Sequence, residues 1–137
     1  MVSAVISVRQ SPQDILTFGA IAPVKIAPVG SANFVDGIAL IDTGADGCAL
    51  TQSLFDAMGG VLSGARVRLQ EANRPAMDVG ATRALVRFHT GTEVELDFGV
   101  IADLPPPHNV LLGRNLFEGG GLVIDFANGR FEMHLEV

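Results

Sequence analysis

The chain has 137 residues, which is room for one domain with a modest core. Hydrophobic residues make up 48% and charged residues 18%, a balance that argues against disorder. Nine basic against fifteen acidic residues leave a formal charge of −6, and the single lysine is Lys25; nucleic acid and anionic membrane surfaces reward clustered Lys and Arg, so neither is an expected partner.

In chain order the pattern is short strands punctuated by turns. Residues 4–8 predict a strand, which Ser11-Pro12-Gln13-Asp14 breaks. Residues 23–29 alternate partly, 30–33 read as a turn, and Phe34 to Ile41 read as a returning strand that delivers Asp42 at its end. Residues 51–58 predict a short helix, capped by Thr51 or Ser53 and stopped by Gly59-Gly60. Residues 65–70 and 76–88 read as the two arms of a long hairpin with a polar, Pro-containing tip at 71–75. Glu93 to Ile101 follows, with Val94, Leu96, Phe98 and Val100 on one face, the cleanest two-residue period in the chain. Pro105-Pro106-Pro107 forbids ladder pairing and stiffens the approach to Val110-Leu111-Leu112-Gly113, an apolar strand ending in Gly. Residues 114–118 suggest a short helix ended by three glycines, and 122–137 a hairpin turning at Asn128-Gly129.

Cys48 is the only cysteine, so an intrachain disulfide or a multi-cysteine metal site is excluded, and in its apolar surroundings it reads as a small buried hydrophobe. His89, His108 and His134 are scattered, so no metal ligand set and no cofactor site is expected. No apolar run approaches the roughly 18 residues of a membrane span, and the start lacks a basic leader. The expectation is a soluble cytoplasmic protein without membrane contact, or an excised domain of a longer or anchored one.

Most of the functional information lies in Leu40-Ile41-Asp42-Thr43-Gly44-Ala45-Asp46-Gly47-Cys48. An acid on a Gly-bearing turn between apolar runs is an acid pushed to the edge of a core, where it is partly desolvated and held in place. Together with Leu111-Leu112-Gly113-Arg114-Asn115-Leu116, about seventy residues downstream, this loop resembles the retropepsin-like aspartic proteases, the family of the retroviral proteases and their cellular relatives. The resemblance covers roughly 22–126, with 1–21 as an N-terminal extension of a single domain.

The resemblance implies an all-β, retropepsin-like acid-protease barrel with one or two short helices, active as a two-fold homodimer on a polypeptide substrate. Such enzymes need two carboxylates that share one proton. This chain has one Asp-Thr-Gly: Asp36-Gly37 lacks the hydroxyl residue and Asp125-Phe126 lacks the glycine. The second carboxylate would therefore be Asp42 of another copy, because an isologous interface places identical residues together at its axis.

The resemblance also assigns roles. Asp42 is the catalytic acid, and Thr43, Gly44 and Ala45 complete its loop, with Thr43 locking the two loops across the axis. Ala45 stands where many cellular relatives have Ser, which implies a higher, still acidic, pH optimum. Gly44, Asp46, Gly47, Asn73 and Arg74 are expected to face substrate, the last two on a flap at 71–75 that departs from the Gly-rich retroviral tip. Leu111, Leu112 and Gly113 pack beside the loop, Arg114 pairs with Asp46, and Asn115 is a buried amide bonding to backbone. Ile41, Val79 and Leu111 suggest pockets for apolar side chains. Two other readings stay open: a catalytically silent module of the same fold used for dimerisation or peptide binding, and an unrelated β-sandwich carrying a chance Asp-Thr-Gly.

Overall fold

The computed structural model describes residues 3–70 and 75–136. Ten strands and two short helices follow in the order β1 (Ser3–Arg9), α1 (Pro12–Phe18), β2 (Ile21–Pro28), β3 (Val35–Ile41), β4 (Cys48–Thr51), α2 (Gln52–Ala57), β5 (Arg66–Leu69), β6 (Met77–Phe88), β7 (Glu93–Ile101), β8 (Val110–Leu112), β9 (Gly121–Asp125) and β10 (Arg130–Glu136), with a 3₁₀ turn at Arg114–Phe117 between β8 and β9. The all-β expectation holds. Among the described residues, no helix is long and apolar enough to cross a membrane.

Seven strands run in the order β2-β3-β8-β4-β7-β6-β5, and β2 also pairs with β6, so six of them close into a barrel. β6 is long because it does two jobs. Its first residues pair with β5 from Met77 to Gly80, and the remainder pairs with β7 from Ala81 to Arg87. The other sheet is β1-β10-β9, so residues expected as an N-terminal extension supply one of its edges.

One crossing positions everything that follows. β3 and β4 are consecutive in the chain yet do not pair; β8 lies between them, parallel to β3 and antiparallel to β4. The 42–47 loop must therefore arch over the end of β8. Gly113 sits under that arch, where a Cβ would overlap the carbonyl oxygen of Gly47.

β4 and β8 are buried on both faces, while β3 buries Ala39 and Ile41 on one face and leaves Ile38 exposed and Leu40 half-buried on the other. Ile41, Leu112, Val110, Cys48 and Leu50 point into the main core with Phe98, Ile26 and Val86. Leu111 and Ala49 point the other way, into a second cluster with Ala45, Leu69 and Ile101, against which Leu40, Val79 and Leu104 pack. Gly99 leaves room there: a Cβ would crowd Val79 and Leu69.

The helices show one agreement and one correction. Thr51 caps α2 by accepting the Leu54 N–H, as expected. Ser11-Pro12-Gln13-Asp14, read as a break, instead starts α1: Ser11 Oγ accepts the Asp14 N–H, proline occupies the first turn, and Gly19 follows the last residue. That is a complete start-and-stop signature.

Gly113→Ala is expected to lower stability by about 3 kcal/mol, because the obstacle is backbone rather than a movable side chain. Urea unfolding of both proteins at one fixed concentration measures this.

Candidate active site

Asp42 emerges at the end of β3, half-buried, on the same face as Leu40. Its backbone is tied to β8 by the Asp42 N–H donating to the Leu112 carbonyl at 3.0 Å. The Gly44 N–H donates to Asp42 Oδ1 at 2.9 Å, a local turn that fixes the carboxylate's orientation. Among the described residues no group bonds Oδ2, which leaves that oxygen available. The Ala45 N–H donates to the Asp42 carbonyl, closing the turn.

The other side of the loop is held from the segment after β8. The Arg114 N–H donates to the Ala45 carbonyl at 2.9 Å, and Arg114 Nη1 donates to the Thr43 carbonyl at 2.7 Å. A guanidinium supplies a charge-assisted bond here, about twice as strong as a neutral one. Thr43 itself is exposed at the crown of the loop.

Two expected details are corrected. Asp46 and Arg114 do not pair. Arg114 is committed to Thr43, while Asp46 Oδ1 accepts the Gln70 N–H at 3.0 Å and the Asp46 N–H reaches the Gln70 carbonyl at 3.3 Å. Asp46 thus ties the loop to the end of β5, at the base of the expected flap. Asn115 is exposed rather than a buried amide, and its Oδ1 accepts from the Cys48 thiol at 3.1 Å. Asn73 and Arg74 lie outside the described residues.

A groove of about 700 Å³ opens beside Asp42. Leu40, Leu111, Ile101, Leu104 and Met77 line it, with Asp103 on the segment after β7. Of the three residues expected to form pockets, only Leu111 lines the groove. Ile41 faces the main core, because strand neighbours point to opposite faces and Leu40 takes the groove side. Val79 is spent packing against the second cluster. Asp103 and Leu104 were missed because Ala102 to Pro107 reads as a stiff connector, although an acid just past the cleanest strand was a usable signal.

Two solved structures resemble this chain. The EIAV protease complexed with the inhibitor HBY-793 is 22% identical with a TM-score of 0.53, covering 77% of this chain and 92% of its own. A retropepsin-like aspartic protease from Rickettsia conorii is 19% identical with a TM-score of 0.54, covering 98% of this chain and 92% of its own.

The fold is that of the retropepsin-like aspartic proteases.

No protein-family model and no curated protein sequence matches the chain. Within this retropepsin-like fold, the Asp-Thr-Gly loop sits on the ψ-shaped crossing of β3, β8 and β4.

Cys48 lies directly under the loop. Burial pushes its thiol from the ordinary 9.0 up to about 11, against the smaller opposing effects of hydrogen bonds with Gly113 and Asn115. The folded chain therefore holds this proton longer than the unfolded chain. Stability from this group is complete below about pH 9 and falls as pH rises toward 11, by about 2 kcal/mol. Denaturation curves across that window should show the decline in the native chain, and a Cys48→Ala variant should lack that component.

Proposed function

We propose that this chain is an aspartic endopeptidase that hydrolyses peptide bonds as a two-fold homodimer, with Asp42 from each copy forming the catalytic pair. The observation that carries the reading is the setting of Asp42: half-buried, fixed by the Gly44 N–H, on a loop clamped by β8 and Arg114, at the side of an apolar groove. A lone carboxylate cannot both remove a proton from water and donate one to a carbonyl oxygen. Two equivalent loops facing one another across a symmetry axis can.

In the proposed reaction the pair holds one proton between two carboxylates. The ionised Asp42 takes a proton from a bound water as the water oxygen attacks the scissile carbonyl carbon. The protonated Asp42 donates to the carbonyl oxygen, giving a neutral tetrahedral diol. Collapse breaks the C–N bond as the protonated Asp42 gives its proton to the departing nitrogen and the ionised one takes a proton from a diol hydroxyl, which leaves a carboxylic acid and an amine and restores the single-proton pair. Water is the only co-reactant, so the mechanism calls for no metal or organic cofactor.

In this reading Thr43, at the exposed crown, meets its counterpart across the axis, and the backbone of Gly44 and Gly47 flanks the substrate. Arg114, Leu112 and Gly113 keep the loop in register. Asp46 acts on the flap through Gln70 rather than through Arg114. Asn73 and Arg74 are proposed to cover the substrate from the flap tip.

The test compares native and Asp42→Asn chains on an unfolded protein across acidic pH, with sedimentation run in parallel. The expected outcome is cleavage by the native dimer with a bell-shaped pH dependence, falling on the order of a thousandfold or more in Asp42→Asn while the dimer persists. A dimer whose cleavage does not depend on Asp42, or that does not cleave, favours the silent binding module instead.

A further inference from the structure

The groove beside Asp42 has an unusual charge balance. Its walls are apolar apart from two acids, Asp42 and Asp103, and no basic side chain lines them among the described residues. Most other acids on strands have a partner: Asp36 has Lys25, Glu95 and Asp97 share Arg83, and Glu93 has Arg87. Asp103 is exposed and has no ion pair or hydrogen bond among the described residues.

The wall that carries Asp103 is firmly placed. Just beyond the prolines, the Asn109 N–H donates to the Ile38 carbonyl and Asn109 Oδ1 accepts the Ile38 N–H at 2.7 Å. The Thr51 N–H donates to the Asn109 carbonyl at 3.1 Å. Within the segment, the His108 ring nitrogen Nδ1 lies 3.0 Å from the Pro105 carbonyl oxygen. On the other side, β7 ends at Ile101, which is packed into the second cluster. Asp103 is thus held between two anchored points beside an apolar floor.

We infer that Asp103 is a specificity-determining residue that selects a substrate bearing a lysine or arginine side chain close to the scissile bond, a choice that rests on the peptidase reading above. The chemistry is that of an amphipathic side chain. The methylene stem lies along Leu40, Leu111 and Leu104, and the cationic head reaches Asp103. Bound peptide displaces water from the groove, which strengthens the attraction relative to the open surface. A glutamate or aspartate at the same substrate position meets Asp42 and Asp103 in a groove wall that has no basic side chain among the described residues. The formal charge of −6 adds a long-range preference for cationic segments.

The experiment uses one peptide series differing at a single position beside the cleaved bond: lysine, its uncharged near-isostere norleucine, and glutamate. kcat/KM is measured with native, Asp103→Asn and Asp103→Lys dimers at the pH of maximal cleavage. Binding of the same labelled peptides to Asp42→Asn and Asp42→Asn/Asp103→Asn chains is followed by fluorescence anisotropy. The expected native preference for lysine over norleucine is about tenfold, abolished in Asp103→Asn and replaced by a preference for glutamate in Asp103→Lys. Cleavage with no lysine preference, or a preference that survives Asp103→Asn, overturns the inference and leaves the peptidase reading standing. Absence of cleavage with an Asp103-dependent lysine preference in binding does the reverse. Absence of both cleavage and preference removes both.

Discussion

The whole arrangement depends on one backbone crossing: a strand from late in the chain wedged between two strands that are neighbours in sequence. With β8 between β3 and β4, the connecting loop has nowhere to go except over the strand end. It is sewn down on both sides, by Asp42 to Leu112 on the way in and by Arg114 to Ala45 on the way out. Each such bond is worth only about 1 kcal/mol net. Their effect is geometric. They leave a carboxylate at a fixed place and height above the sheet, and they require a residue without a side chain beneath the arch.

The same crossing gives β4 and β8 two buried faces with different uses. One face closes the barrel core and carries most of the large apolar side chains. The other supports a smaller cluster whose outer members, Leu40, Leu111, Ile101 and Leu104, are also the walls of the groove. The groove is therefore the reverse side of the crossing that holds the loop. The Gly44 N–H orients the Asp42 carboxylate there, and in the proposed reaction such preorganisation would lower the reorganisation cost.

Much of this was legible in the residues. The strand that delivers Asp42, the capped helix after it, the period-two strand from Glu93 to Ile101 and the closing hairpin all carry local signals that the structure follows. What sequence reading lost was non-local or depended on parity. The four residues of β4 are too short to show a period, and only pairing with β7 and β8 makes them a strand. Ile41 and Leu40 are equally apolar, so composition could not say which faces the groove; counting by twos from Asp42 along β3 would have done so. A guanidinium can bond either a carboxylate or a backbone carbonyl, and the arch places the Thr43 carbonyl where Arg114 bonds it, while Asp46 bonds the Gln70 N–H. The prolines after Asp103 signal stiffness and carry no information about which side of the segment the acid faces.

The central claim is that one reactive centre is assembled from two chains. Isothermal titration with a hydroxyl-bearing peptide isostere, a mimic of the tetrahedral diol, tests it most directly. The account predicts saturation at one ligand molecule per two chains, with the heat of binding lost in Asp42→Asn. Saturation at one ligand per chain, or tight binding to a chain that sediments as a monomer, would contradict it.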